Sequence, residues 1–299
     1  MSIDIFKNYQ SIIPDYEDFI RILHTPLPTH LRINTLKIAP NILIKRLEKK
    51  GIRIEWTLKK YMCLNLKGCD HPGNMIEYSL GYIHPQALTS CLASIILNPK
   101  PNSLILDLCA SPGGKTSHIA QLVGNSGLIV ANEFNRYRHI PLIYNLSRLG
   151  ITNCIVTAYQ GQQFPLKTKF DFIIADVPCS GEGNIRFTGQ KIRSIHRRLK
   201  KIKDTQKRII LRAFDLLSDN GILLYSTCTY NPEENEEVVD FLLKERDAKL
   251  VSFASPIPAE SGIYSWKGKL YDKQIRYTKR FYPHRVNSVG FYMAKIRRR

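Results

Sequence analysis

Cys179 and Cys228 are the residues of this 299-residue sequence that most directly suggest chemistry. Each closes an apolar run that reads as a buried strand. The first run continues as Asp176-Val177-Pro178-Cys179-Ser180-Gly181-Glu182-Gly183, the second as Ser226-Thr227-Cys228-Thr229-Tyr230-Asn231-Pro232-Glu233. A thiolate is a strong nucleophile, and a nearby cation or helix N-terminus lowers the pKa of its thiol. Lys115 could be that cation. A lone buried cysteine behaves by default as a small hydrophobe. Cys63, Cys69, Cys91 and Cys154 take that reading, and Cys109 is expected to pack under a glycine turn. The chain has seven cysteines but no CxxC pair, which argues against a disulfide framework and against a bound metal.

A second constellation lies at Asp107-Leu108-Cys109-Ala110-Ser111-Pro112-Gly113-Gly114-Lys115-Thr116. Adjacent glycines at a strand-to-helix turn let the backbone approach a ligand, and the helix start offers free N–H groups. The run is neither a dinucleotide fingerprint nor a nucleoside triphosphate loop. The next strand ends at Asn132-Glu133, where a carboxylate can take ribose hydroxyls. Its simpler reading is a favourable charge at a helix start, worth roughly 0.3–1 kcal/mol. Glycine turn and carboxylate together favour an adenosyl cofactor. Glu233, Glu234 and Glu236 likewise read in part as stabilisers of a helix beginning at Pro232.

These residues need a frame that holds strand ends together. Short apolar runs at 104–108, 128–131, 154–157, 171–175 and 222–226 alternate with helical patterns at 114–123, 135–149, before Ser218, and at 232–244. A last strand is expected at 290–296. Such alternation predicts an α/β fold with a Rossmann-like, doubly wound parallel sheet, whose ligands lie beyond the carboxyl ends of the strands. Residues 1–78 read as a small α+β domain, with strands at 30–37, 52–57 and 61–66 and a helix at 40–50. The turn-rich stretch Gly68–Gly73 marks the seam, and residues 79–299 form the catalytic domain.

Charge narrows the partner. The 44 Lys and Arg exceed the 25 Asp and Glu by 19, an excess suited to a phosphate backbone. Its densest run is Lys191–Arg208, which also reads as a solvated helix face. A further cluster is Arg297-Arg298-Arg299. No stretch approaches the roughly 18 apolar residues of a membrane span, and the start carries no secretory pattern. A cytoplasmic monomer without a membrane partner is expected.

The runs LDLCASPGGKT, DVPCSGEG and STCTYNPEENE, in that order, resemble the cofactor and catalytic motifs of the Nol1/Nop2/Sun (RsmB/RsmF-type) RNA cytosine-C5 methyltransferases. LRINTLK near the start and RFYPHRVNSVGFYMAKI at the end extend the resemblance over nearly the whole chain. ANEFNRYR and CSGEG look most similar to the bacterial 16S rRNA enzymes of the RsmF type. The resemblance implies S-adenosyl-L-methionine as cofactor, with contacts from Cys109, Ala110, Ser111, Pro112, Gly113, Gly114, Lys115, Glu133, Arg138, Gln160 and Asp176. It implies Cys228 as the nucleophile that adds to C6 of cytosine and makes C5 reactive. Cys179 would help remove the C5 proton or release the product. Asp176 would bond the base edge or the cofactor's amino group, and Lys115 would steady the site. DNA cytosine methyltransferases use the cysteine of a Pro-Cys pair, so Pro178-Cys179 keeps Cys179 open as the nucleophile.

Two departures stand out. Gln160-Gly161-Gln162 replaces the Asp-Gly-Arg of many relatives, which puts cofactor affinity in question. Thr188-Gly189 replaces their Asp-Pro. RNA contacts are expected from Arg32, Arg186, Arg197, Arg198, Lys200 and Lys201. The RsmF-type enzymes carry a further C-terminal RNA-binding region. This chain ends soon after its last strand, so substrate choice should rest on the N-terminal unit and the basic surface. Ribosomal RNA, in the small subunit, is the expected substrate, with tRNA as the alternative and a non-catalytic RNA-binding assembly factor as the reading of another class. A base buried in a helix must leave its stack at a cost of a few kcal/mol, so single-stranded or loop cytosines are the expected targets.

Overall fold

The computed structural model describes residues 3–67, 69, 71–187 and 199–299. The first part is a four-stranded antiparallel sheet of β1 (His30–Ile33), β2 (Arg53–Leu58), β3 (Cys63–Lys67) and β4 (Ile83–Pro85), in the order β2-β3-β1-β4. Helix α1 (Tyr16–Leu23) precedes it, α2 (Pro40–Glu48) follows β1, and the short α3 (Ile76–Ser79) precedes β4. β1 stops four residues short of the strand expected at 30–37. The reason is Asn34, whose side-chain amide donates to the carbonyls of Gly81 and Leu149 and turns the chain away.

The large sheet is the Rossmann-like sheet expected, with an antiparallel flank. Five parallel strands are β5 (Leu104–Asp107), β6 (Leu128–Asn132), β7 (Cys154–Thr157), β8 (Phe170–Asp176) and β9 (Leu217–Thr227). β10 (Ala248–Leu250), β11 (Glu260–Ser261), β14 (Lys279–Phe281) and β15 (Phe291–Arg298) extend it antiparallel, while β12 (Ser265–Trp266) and β13 (Lys269–Leu270) form a separate hairpin. The path runs β11-β14-β15-β9-β8-β5-β6-β7. The chain winds outward from β5 through β6 to β7, then returns to build β8 and β9 on the other side. The switch point lies between β5 and β8, where crevices form in such sheets.

Helices α4 (Leu88–Leu97), α5 (Gly114–Leu122) and α6 (His139–Arg148) cover one face. Helices α7 (Leu199–Asp215) and α8 (Glu236–Glu245) cover the other, and α9 (Pro283–Val286) packs against α1. α4 is apolar on nearly every side and buried along its length, so it lacks the periodic contrast that marks a surface helix.

The chain is organised differently from a split at residue 78. The first sheet runs on to Pro85. Phe6, Tyr9, Phe19 and Leu23 belong to the core beneath the large sheet, with Phe6 and Phe19 edge-on to Tyr230 at 5.7 and 5.2 Å. Helix α8 starts at Glu236 rather than Pro232. Residues 232–235 make a turn in which Asn235 is non-helical and donates to the Thr229 carbonyl. That turn sends the acids of PEENE to three different places.

Glu236 goes into the core, where it is fully buried against Arg280, itself 2% exposed, at 2.6 Å. Arg280 also donates to the Tyr230 carbonyl, two residues beyond Cys228. Removing one partner of such a pair strands the other as a buried charge, at a cost of about 3–5 kcal/mol. Arg280→Met should therefore lower the unfolding free energy from urea titration by that much, with a lower midpoint, and Arg280→Met with Glu236→Met should recover part of the loss. An unchanged midpoint in the single variant would show that the pair does not hold this flank.

Candidate active site

The site is assembled at the ends of β5, β8 and β9. Asp176 and Ser226 are register partners on adjacent parallel strands, and the Ser226 hydroxyl donates to Asp176 Oδ1 at 2.8 Å. Lys115, in the first turn of α5, donates to Asp176 Oδ2 at 2.7 Å. Burial works against the Lys115 charge, but Asp176 outweighs it and raises the ammonium above its usual range. Lys115 also sits 5.4 Å above the ring of Phe291 on β15.

Beyond these strand ends the two sulfurs meet. Cys179 and Cys228 Sγ lie 3.3 Å apart, and Asn184 Nδ2 approaches Cys228 Sγ at 3.2 Å. The two thiols move in opposite directions. Cys228 is held below the ordinary thiol range, first by the hydrogen bond from Cys179, with Asn184 and Lys115 assisting against burial and Asp176. The same bond, with burial, pushes Cys179 well above that range. The contact thus favours the proton on Cys179 and the nucleophilic form on Cys228.

Behind the sulfurs, the residues that follow each cysteine also pair. Ser180 and Thr229 hydroxyls are 2.7 Å apart. Thr229 donates to Glu182 at 2.9 Å, which also accepts from the Tyr9 hydroxyl at 3.0 Å. Burial raises the Glu182 carboxyl to about 7. Glu234, fully buried, accepts from the Ser180 backbone N–H at 2.9 Å and from Gln206 at 3.0 Å. The Gly183 N–H donates to the Cys228 carbonyl and its own carbonyl accepts from Gly290, each at 2.9 Å. A Cβ on Gly183 would lie 2.2 Å from the Gly290 oxygen, so only glycine permits this contact.

Two cavities flank Cys109. One, of about 270 Å³, is bounded by His84, Gln86, Asp107, Lys115, Asp176, Asn184, Cys228 and Phe291. The other, of about 310 Å³, is bounded by Leu108, Glu133, Arg138, Gln160 and Ile209. Ala110, Ser111, Pro112 and Gly114 line the first cavity. Gly113 does not. It caps α5 at φ 97°, and a Cβ there would meet Leu142 of α6 at 3.1 Å.

These cavities suit an adenosyl sulfonium group. Leu108 and Ile209 give apolar walls for a purine. Glu133 supplies a carboxylate, already bonded to the Asn135 N–H at 2.8 Å and 3.2 Å from Arg138. Asp107, which burial raises to about 6, has one oxygen bonded to Thr116 and leaves Oδ1 without a partner. That oxygen is an acceptor available to an amino group.

The basic residues divide. Arg32 is fully buried and donates to Ser117, Gln121 and Gln86, while Arg186 is 3% exposed and donates to the Ser288 carbonyl. Neither is placed to touch RNA, because their charges are spent inside the fold. Lys200 and Lys201 are exposed. Lys203 and Lys207 pair with Glu233 and Glu237. Arg197, Arg198 and the rest of residues 191–198 of the basic run, with Thr188 and Gly189, lie outside the described residues, as does Gly68 of the expected seam.

Asn184, His84 and Gln86 went unsuggested by the sequence. The available signal was polarity out of place: Asn184 follows the glycines of CSGEG, and His84-Pro85-Gln86 interrupts an otherwise apolar stretch.

A family model described as 16S rRNA methyltransferase RsmB/F matches residues 94–297. The chain is 40% identical to the tRNA (cytosine(49)-C(5))-methyltransferase of Pyrococcus abyssi, over 96% of this chain and 94% of that protein. It is 34% identical to the ribosomal RNA small subunit methyltransferase F of Shewanella amazonensis, over 94% of this chain and 60% of that protein. It is 36% identical to a mouse 28S rRNA (cytosine-C(5))-methyltransferase, over 94% of this chain and 36% of that protein. Among solved structures, a methyltransferase homolog protein from Pyrococcus horikoshii superposes with a TM-score of 0.80 at 34% identity, covering 94% of this chain and 90% of its own. The finer likeness to RsmF-type enzymes is not singled out among these relatives. No helix among the described residues is long and apolar enough to cross a membrane.

The opposed thiols give a direct check. Alkylation of Cys228 by iodoacetamide, followed by peptide mass spectrometry across pH, should show a midpoint below the ordinary thiol range of about 8.5. Because Asn184 stabilises the thiolate, Asn184→Ala should move that midpoint upward. Cys179 reacting first would contradict the arrangement.

Proposed function

This chain belongs to the 16S rRNA methyltransferase RsmB/F family, which makes it an S-adenosylmethionine-dependent RNA cytosine-C5 methyltransferase, and we propose that it modifies tRNA through a covalent adduct on Cys228. The observation that carries the mechanism is the 3.3 Å sulfur pair, whose contact lowers the Cys228 thiol and raises that of Cys179. The cofactor supplies a methyl group on a positive sulfur. Cys228 thiolate forms a bond to C6 of cytosine, and the electron pair shifts to C5, which takes the methyl as its bond to the cofactor sulfur breaks. A base then removes the C5 proton. The electrons restore the C5–C6 double bond and expel the Cys228 thiolate.

In this reading Cys179 acts as a thiol. It donates to the Cys228 sulfur before attack and again as that sulfur leaves, so of the two roles open to it, product release suits it and proton removal does not. Its high pKa equally disfavours Cys179 as the nucleophile. Asp176, fixed by Lys115 and Ser226, presents an oxygen to the exocyclic amine of the base or the amino group of the cofactor. Gln160 borders the cofactor cavity and can bond adenine as an amide, without charge.

Substrate choice rests on likeness. The tRNA enzyme of Pyrococcus abyssi is 40% identical over 96% of this chain, against 34% for the small-subunit rRNA enzyme. That supports tRNA over the ribosomal substrate, although ANEFNRYR and CSGEG favour the latter. Of the basic side chains expected to meet RNA, Lys200 and Lys201 are exposed at the start of α7, where they can contact the RNA backbone.

Bisulfite sequencing of unmodified tRNA, 16S rRNA and small subunits, after incubation with the protein and S-adenosylmethionine, tests this. A single protected cytosine in tRNA is expected. Protection only in rRNA or the subunit would overturn the substrate and keep the chemistry. Protection in none of them would count against the enzyme reading, since the cofactor is supplied.

A further inference from the structure

Arg32 raises a question that its expected role does not answer. It is a fully buried guanidinium that donates to neutral partners: Ser117 Oγ at 2.9 Å, the Gln121 side-chain oxygen, and Gln86 Oε1 at 3.2 Å. A buried charge without a countercharge is costly, so the fold must use what Arg32 holds. Helix α5 is one thing held, through Ser117 and Gln121. Gln86 is the other.

Gln86 is 7% exposed and borders the cavity that also contains Cys228, Lys115 and Asp176. Its Nε2 has no hydrogen-bond partner. The amide cannot be turned round, because the guanidinium has only hydrogens to offer and must face the oxygen. Arg32 thereby fixes Nε2, with both hydrogens, as the free end. Gly114 packs beside it: a Cβ on Gly114 would lie in van der Waals contact, 3.7 Å from Nε2 and 3.4 Å from His84 Nε2. His84 repeats the device. Arg148 donates to its Nδ1 at 3.0 Å, which forces the ring proton onto Nε2. Burial, with Arg32 and Arg148 nearby, lowers His84 to about 3, so the ring stays neutral. His84 and Gln86, which line the cavity that Cys228 also lines, therefore offer neutral N–H donors locked in place by buried arginines.

Donors without acceptors on the wall of a catalytic cavity call for an acceptor-rich ligand edge. A cytosine lying against Cys228 has two adjacent acceptors, O2 and N3, on the edge by which flipped bases are read. Uracil carries a hydrogen on N3, which would face the donors. Resting on the cytosine-C5 reading above, we propose that Gln86 is a specificity residue that donates to N3 and O2 of the target cytosine, and that Arg32 is the positioning residue that aims it.

The test uses the full chain with S-adenosylmethionine and two RNAs, carrying 5-fluorocytidine or 5-fluorouridine at the target position. The fluorine cannot leave as a proton, so methylated adducts persist on the protein. The wild-type protein should trap 5-fluorocytidine in strong preference. Gln86→Glu keeps an oxygen for Arg32 but turns an acceptor to the base, so it should lower the cytidine-to-uridine trapping ratio about ten-fold or more. Gln86→Leu should lower it less. Calorimetric affinity for S-adenosylmethionine should not change in either variant. An unchanged ratio in both variants would overturn the proposal, as would an equal loss of cofactor affinity, which would assign the donors to the cofactor's carboxylate. A general loss of fold cannot mimic the result, because a ratio within one protein is read, and Gln86→Leu serves if Gln86→Glu does not fold. Failure of the wild-type protein to trap 5-fluorocytidine would instead count against the methyltransferase reading itself.

Discussion

Two sulfur atoms 3.3 Å apart, each delivered by its own strand, set the terms for the rest of the molecule. Neither loop could place its cysteine alone. β8 and β9 must run parallel and in register, so that Asp176 stands beside Ser226 and the chains leave the sheet at one level. Everything near the pair then serves to keep those loops together. Gly183 bridges Cys228 and Gly290, Thr229 reaches Ser180 and Glu182, and Glu234 takes the Ser180 amide. The aromatic cluster of Phe6, Phe19 and Tyr230 closes the site from below, which is why the first residues of the chain pack with the catalytic core.

Buried charge is used for aim rather than for stability. Arg280 anchors the flank behind Cys228 through Glu236, Arg32 turns Gln86, and Arg148 fixes the tautomer of His84. Each arginine is expensive to bury, and each orients a neighbour that a hydrophobic residue could not. Much of the net charge of +19 is thus not a uniform coat for RNA. Some basic side chains are interior, and others, such as Lys203 and Lys207, pair with Glu233 ahead of α8 and Glu237 in its first turn.

Much of this was legible in the sequence where residue type and strand position coincide. Apolar runs located β5 to β9 to within a few residues, and the cysteines at the ends of β8 and β9 pointed to the site before any geometry was known. What stayed hidden depends on long-range contacts. Arg32 and Arg186 look like RNA ligands because an arginine's destination is decided by partners such as Gln121 or Ser288, far away in sequence. Helix α4 lacks periodic contrast because it is buried on nearly every side. The start of α8 was misplaced because Asn231 and Pro232 make good cap residues, yet tertiary contacts use the following turn to aim Glu234 instead. Gln86 gave no signal beyond being polar.

The central claim is that the shared proton rests on Cys179 and leaves Cys228 as the nucleophile. Its most direct test is to digest the complex formed with 5-fluorocytidine RNA and S-adenosylmethionine, and to find by mass spectrometry which cysteine carries the nucleotide. The account predicts the nucleotide on the peptide containing Cys228, with Cys179 unmodified. A nucleotide on Cys179 would contradict it.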